Sequence, residues 1–287
     1  VIGAALSAEL SPLLARDDFD LARAALVVAK IEYPRLDPAR PLALLDALGE
    51  RAAARLRAIS DAPVTDRVAA LNRLLFEDER FEGNRRHYGD FRNSLLNVVL
   101  ERRTGIPITL ALVYIEVARR AGLEVFGVSF PGHFLLRVPN DAGDETGGPI
   151  VLDPFEGGRR LTEEDCRDLL RRHVGDDAEY DRTLVDSCSP RQILARMLNN
   201  LKRTYVELRS YPHARAVTEL LLSVGPSFGS DLRDRGLIAY HLDDYPSALR
   251  DLEQYLRLRS WQEDDREERD RVAEHVKALR GRIAGLN

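Results

Sequence analysis

What this sequence is short of narrows its chemistry at once. Among 287 residues there are two cysteines, Cys166 and Cys188, too few for a disulfide framework or, on their own, a four-ligand zinc site. Both are expected to be free thiols. Lysine is nearly as scarce: of 42 basic residues only Lys30, Lys202 and Lys277 are lysine and the rest are arginine. GC-rich codon usage explains that skew more simply than phosphate recognition does. No apolar run approaches the roughly 20 residues that a membrane-spanning helix needs, so no membrane partner is expected. Val1 to Leu14 is apolar but lacks a positively charged leader, and Glu9 interrupts it, which reads poorly as a secretory signal. It reads as the loose start of a cytoplasmic chain. No sustained basic patch accompanies the formal net charge of −5, which argues against a nucleic-acid partner. Gly157-Gly158 is not followed by the Lys-Ser/Thr of a phosphate loop, and no two histidines stand four apart on a helix as zinc proteases require. No cofactor and no metal are expected.

What is present is globular: 44% hydrophobic and 31% charged residues allow one large domain or two ordinary ones. Asp17 and Asp18 are plausible caps for a helix carrying Leu21, Ala25 and Val28, which should stop before Pro34. Pro38 suits the first turn of a second helix with Leu45, Leu48, Ala52, Leu56 and Ile59 on one face, and Thr65 can cap a third with Val68, Leu71 and Leu75. After a polar stretch, Leu95, Leu96, Val99 and Leu100 mark another helix. Gly105 breaks the pattern, and Pro107 opens a buried helix to about Arg120, with Gly122 as its stop. The texture then turns β-branched and aromatic over 125–130, 134–138 and 150–152, which predicts two or three strands. A hairpin around the 139–149 loop would set His133 and Asp153 opposite one another or nearly so. Thr162 and Asp165 resemble a capping box for a helix through Arg172.

From Arg191 onward the strand signal is gone and a period of 34 relates Ala214 to Ala248, the spacing of paired-helix repeats. In this register Leu201 and Tyr205 are the large residues of one helix, Ala214 is the small residue at the crossing, and Pro226 ends the unit. Gly236, Ala248 and Leu252 repeat the scheme, because two antiparallel helices approach closely only over a small residue. Glu263 to Arg280 is charge-dense, with Val272, Val276 and Leu279 on a narrow stripe, and reads as a capping helix. The expected organisation is α+β: a helical leader and a core with a small antiparallel sheet over 1–185, then an all-α, TPR-like array over 190–287.

The stretch from Gly105 to Asp153 resembles the transglutaminase-like core of papain type, in which a cysteine at a helix N-terminus is followed by a histidine and an aspartate on successive strands. His133 falls in Phe-Pro-Gly-His-Phe and Asp153 in Leu-Asp-Pro. In that register the nucleophile's position is Pro107. The runs Asn93-Ser94-Leu95-Leu96, Arg103 to Leu110, Phe130 to Phe134 and Asp153-Pro154-Phe155 look like the SirB transglutaminase-like family, which joins this core to C-terminal TPR-like repeats. The likeness runs from Ile31-Glu32-Tyr33-Pro34 through the repeats, and it brings no settled biochemical activity with it.

In an active relative the helix N-terminus stabilises a thiolate, the histidine shuttles the proton and the aspartate fixes the imidazole tautomer. Proline supplies no nucleophile and lacks an N–H donor. The relic-site candidates are therefore Pro107, His133, Asp153 and Thr109. Thr109 is weighed as an alternative nucleophile against a capping residue, with capping favoured. Asn93, Ser94, His133 and Asp153 are the ligand-binding candidates, although Asn93 and Ser94 are better read as caps of the Leu95 helix. His87, His173, His213, His241 and His275 read as ordinary surface or interface residues. The expected function is a non-catalytic interaction or regulatory protein that meets a protein or peptide partner through its repeats. The alternative is a hydrolase or acyl-transfer enzyme that uses the His133/Asp153 pair with Thr109 or an activated water.

Overall fold

The computed structural model describes residues 2–140, 148–225, 228–258 and 266–285. The chain is of the α+β class and divides into two compact units: Arg16–Met197, and Val1–Ala15 together with Leu198–Asn287. Sequence reading closed one domain at 185 and opened the next at 190. The division found in the structure lies between Met197 and Leu198, and the first 15 residues go with the repeats.

Those first residues are a helix, not a loose start. In α1 (Ile2–Leu10), Gly3, Leu6 and Leu10 recur at helical spacing and are buried. The next helix, α2 (Leu21–Ala29), is capped by Asp20, whose carboxylate accepts from the Arg23 N–H at 2.9 Å. Asp17 and Asp18 lie too far upstream for that bond, and Asp18 instead pairs with Arg16 at 2.7 Å. Helix α3 (Ala39–Arg57) has Pro38 as its N-cap, one residue before the first turn in which the sequence places it, and it ends before Ile59. Helix α4 (Val64–Asn72) starts after Pro63, so Thr65 is inside it and does not cap it.

The short strands β1 (Glu82–Gly83) and β2 (Thr104–Gly105) pair in parallel on either side of α5 (Leu96–Arg102). Helix α6 (Pro107–Arg120) is the spine of its unit. Its residues Ile108, Leu110, Ala111, Leu112, Val117 and Ala118 are almost fully buried, and it packs against α3 and against the sheet. That sheet is antiparallel, in the order β3 (Phe126–Val128), β4 (Leu135–Val138), β5 (Ile150–Asp153) and β6 (Arg159–Leu161). Strand β6 is too short and too charged to show a strand pattern in the sequence, and Arg159 and Arg160 are solvent-facing. Residues 141–147 of the expected β4–β5 loop lie outside the described residues. Helix α7 (Glu163–Val174) closes the unit's far side and begins with the anticipated capping box of Thr162 and Asp165.

In the other unit, α8 (Pro190–Glu207), α9 (Tyr211–Val224), α10 (Phe228–His241), α11 (Tyr245–Arg257) and α12 (Arg266–Gly285) follow one another; α8 begins in the first unit and ends in this one. Pro226, the expected end of a repeat, and the start of the last helix at Glu263 lie outside the described residues. The 34-residue period is deeper than Ala214 and Ala248. Tyr211-Pro212 recurs as Tyr245-Pro246, and just upstream the backbone takes a positive φ at Arg209 (54°) and again at Asp243 (57°). Helix α1 packs on α9, where the Ser7 hydroxyl donates to the Glu219 carbonyl at 3.3 Å. At the other end Val272, Val276 and Leu279 of α12 join Leu232, Ala239, Ala248, Leu252 and Tyr255 in one apolar cluster.

Ala248 is fully buried in that cluster, and a Cβ added to Gly236 across the crossing would meet the Leu252 side chain at 2.7 Å. There is no room for a larger side chain. Ala248→Leu should therefore destabilise the repeats by about 1–3 kcal/mol, seen as an earlier helical transition when the full chain is denatured. A variant that melts with the parent would show that the helices do not cross at this residue.

Candidate functional site

The site grows out of two turns at the ends of paired strands. Phe130 to His133 is a tight turn closed by the His133 N–H donating to the Phe130 carbonyl at 3.2 Å. Pro131 and Gly132 occupy its centre, with Gly132 at φ +69°, the proline-then-positive-φ order of a type II turn. Arg196 holds this turn from α8, donating from Nη2 to the Phe130 and His133 carbonyls at 2.8 and 2.7 Å. In the β4–β5 register Leu136 faces Leu152, so Asp153 faces Leu135, and His133 lies two residues further along on the same face.

That offset is short enough for a side chain to bridge. His133 Nε2 lies 3.0 Å from each Asp153 carboxylate oxygen, with the two residues 9% and 3% exposed. Asp153 Oδ1 also accepts from the Phe155 N–H at 2.9 Å and the Glu156 N–H at 3.4 Å. One carboxylate thus orients the imidazole and caps the short turn Pro154–Glu156. His133 Nδ1 has no hydrogen-bond partner among the described residues.

The other candidates are committed elsewhere. Pro107 is the first residue of α6 and buried, and Ile106 is the N-cap. The Thr109 hydroxyl accepts from the Ile106 N–H at 3.1 Å and donates to the Asn93 carbonyl at 2.7 Å. It is fully buried and makes no hydrogen bond to His133. Asn93 donates from Nδ2 to the His87 and Tyr88 carbonyls at 2.8 and 3.2 Å and accepts from Asn84 at 2.9 Å, so it fastens the 84–88 loop. Ser94 is 5% exposed at the end of the turn Phe91–Ser94. The N-cap of α5 is Leu95, which has no capping side chain; neither Asn93 nor Ser94 caps that helix.

A cavity of about 450 Å³ opens over the pair, lined by His133, Asp153, Tyr88 and Phe155 on one side and by Leu169, Arg172 and His173 of α7 on the other. Neither Pro107 nor Thr109, Asn93 or Ser94 lines it. His173 is the residue that sequence reading passed over. Its ring stacks on His133 at 5.5 Å between centroids, and it comes this close because Gly132 has no side chain: an added Cβ there would collide with His173. Burial lowers the His173 pKa below its ordinary value, and the neighbouring His133 and Arg172 charges add to that while Asp153 opposes it. Its spacing of 40 residues from His133 carried no signal. Among the described residues no three His, Cys, Asp or Glu side chains are gathered to hold a metal ion, and no helix is long and apolar enough to cross a membrane.

Residues 40–199 match the family described as the Transglutaminase-like superfamily, and residues 201–279 match the Tetratricopeptide repeat. A UPF0162 protein of Xylella fastidiosa (strain Temecula1) is 42% identical over 237 residues, which cover 82% of each chain. A UPF0162 protein of Pseudomonas aeruginosa is 34% identical over 270 residues, 93% of each chain. F-box only protein 21 of Mus musculus is 34% identical over 184 residues, 62% of this chain and 28% of that protein.

Neither native thiol is set up as a nucleophile. Burial pushes Cys166 up to about 11, helped by the charges of Asp165 and Glu163, and burial pushes Cys188 up to about 11 as well. Against an ordinary thiol near 8.5 this cuts the thiolate fraction at neutral pH about a hundredfold or more. Iodoacetamide at pH 7.5 should label the folded protein about two orders of magnitude more slowly than the urea-unfolded one. Its rate should climb steadily as pH rises toward 11. Labelling of either cysteine at the unfolded rate would contradict the burial seen here.

Proposed function

The chain belongs to the transglutaminase-like superfamily, among the UPF0162 proteins of SirB type that follow this core with tetratricopeptide repeats, and on that premise we propose that it is a non-catalytic interaction protein. The observation that carries the proposal is a histidine–aspartate pair that stands without a nucleophile. Pro107, aligned by resemblance with the family's cysteine, offers no reactive atom and no N–H. The Thr109 hydroxyl is spent on the Ile106 N–H and the Asn93 carbonyl. The native thiols are held at about 11. Tetratricopeptide repeats generally mediate contacts between proteins, so a protein or peptide partner on residues 201–279 fits the second half of the chain. In this reading the cleft around His133 and Asp153 binds a peptide or stabilises the fold. The likeness to F-box only protein 21, limited to 28% of that protein, fits a core that is reused within differently composed chains.

One observation favours the rival reading. His133 is oriented by Asp153 through Nε2 and keeps Nδ1 unengaged, the arrangement of a general base that activates water. A hydrolase or acyl-transfer enzyme would follow, and it would show turnover that disappears in His133→Ala.

The two readings separate in one assay. The native chain, offered a glutamine-containing peptide with a primary amine and, separately, a peptide ester, should release neither ammonia nor alcohol above background. Turnover lost in His133→Ala would replace the proposal with its rival. Pro107→Cys probes the register itself. A cysteine there regains the N–H at the start of α6, where the helix dipole favours an anion. At mildly acidic pH it should be alkylated faster than Cys166 and Cys188 in the same molecule, and the advantage should fall in Pro107→Cys/His133→Ala. Labelling no faster than at the native thiols would remove Pro107 from the nucleophile's position.

A further inference from the structure

The cavity beside His133 is better equipped than a vestigial pair requires, and its charges do not cancel evenly. Three carboxylates line it, and each is already answered. Asp153 takes the His133 Nε2 and two backbone N–H groups. Glu156 is paired with Arg85, and Asp165 with Arg159 at 3.2 Å and with the Thr162 N–H. Of the two arginines lining the cavity, Arg159 is thereby neutralised. Arg172 is not: its Nε donates to the Asp168 carbonyl at 3.3 Å, and its two Nη groups have no partner among the described residues. Beside it stands His173, whose ring is stacked on His133 and makes no hydrogen bond to the described residues. A guanidinium fork and an imidazole thus stand together at one wall with donors to spare, the donor set that recognises a planar carboxylate.

Aromatic and apolar side chains share the lining. Tyr88 meets Phe155 edge to face at 5.9 Å, and Phe155 meets His133 the same way at 6.2 Å. Leu161 and Leu169 add aliphatic surface to the lining. A volume of about 450 Å³ falls in the range of small-ligand sites and suits one or two residues. We propose that this cavity recognises the carboxylate end of a peptide whose last side chain is apolar or aromatic, with Arg172 and His173 contacting the carboxylate and Tyr88 and Phe155 flanking the side chain. This deepens the non-catalytic reading above and rests on it, since the bound end is held and not cleaved. Burial first, and the neighbouring positive charge second, disfavour a charged His173, and an incoming anion offsets the second of these.

The test uses the full chain and two probes that differ only in the anion, N-acetylphenylalanine and N-acetylphenylalaninamide, titrated by NMR with inorganic phosphate in a third arm. The acid should bind saturably and about tenfold or more tighter than the amide. Arg172→Gln should lower the affinity for the acid to about that for the amide while leaving the amide's own affinity unchanged, and His173→Gln should lose less. Arg172 is exposed, and an unchanged melting temperature of its variant would keep loss of binding separate from loss of fold. Equal binding of acid and amide, no saturable binding of either, an Arg172→Gln chain that binds like the parent, or phosphate binding as tightly as the acid would each overturn the proposal. The same samples, followed over time, separate it from the reading on which it rests. Slow conversion of the amide to the acid with release of ammonia, abolished in His133→Ala, would sink the non-catalytic reading and leave the acid-over-amide preference standing.

Discussion

The Asp153 carboxylate is the interaction on which the rest of the site depends. It sits at the C-terminal end of β5, where the chain turns toward β6, and it accepts from one side chain and two backbone N–H groups. Without it the buried His133 N–H and the start of the Pro154–Glu156 turn would both be left unsatisfied, at a cost of about 1–3 kcal/mol for each orphaned group. That turn in turn carries Phe155, which lies against Gly83 so closely that a Cβ there would approach its ring to 2.5 Å. Phe155 also carries the Arg85 guanidinium 5.3 Å above its face. One buried anion therefore fixes the imidazole, the turn and the aromatic wall together.

The start of α6 follows the opposite logic. Proline is favourable at the first position of a helix, because the missing N–H is one that the helix leaves unpaired anyway and the fixed φ is already helical. Ile106 cannot cap with its own side chain, so Thr109 reaches back to its N–H and ties the helix to Asn93. Asn93 then fastens the loop bearing Tyr88. The Thr109 hydroxyl at this helix start is thus engaged within the chain. The cavity is lined by His133, Asp153 and residues of α7, and not by the start of α6.

The elements easiest to read from the sequence were those with a strong period or an unambiguous stop. Helices α3, α6 and α7 and strands β4 and β5 stand where the apolar spacing, Pro107, Gly122 and the Thr162/Asp165 box put them. What escaped did so for local reasons. Strand β6 carries two arginines in three residues and is a strand only because β5 offers it a free edge. Asp20 caps α2 although Asp17 and Asp18 are nearer the turn, since the cap must stand immediately before the first helical residue for its carboxylate to reach the N–H of the third. The His133–Asp153 pair was legible because a hairpin brings both to one face. Arg172 and His173 were not, because their approach depends on how α7 lies over Gly132, a tertiary matter with no period of its own.

The repeats make the same point from the backbone. Their side chains diverge: the fully buried Tyr205 of the first repeat corresponds to Ala239 of the second, and Leu201 to Arg235. What recurs is the path between helices. Arg209 and Asp243 both enter the left-handed region, and in the next step the Ser210 N–H donates to the Tyr205 carbonyl at 2.8 Å and the Asp244 N–H to the Ala239 carbonyl at 3.0 Å. Tyr-Pro then opens each second helix, with proline where its missing N–H is harmless, and Ala214 or Ala248 follows two residues after the proline, where the helices cross. A residue of ordinary size tolerates this turn at modest strain, so neither position needs glycine, and what the two repeats share is geometry more than residue identity. The apolar faces that stacking would otherwise leave bare are taken up by α1 against α9 and by α12 against the α10–α11 pair.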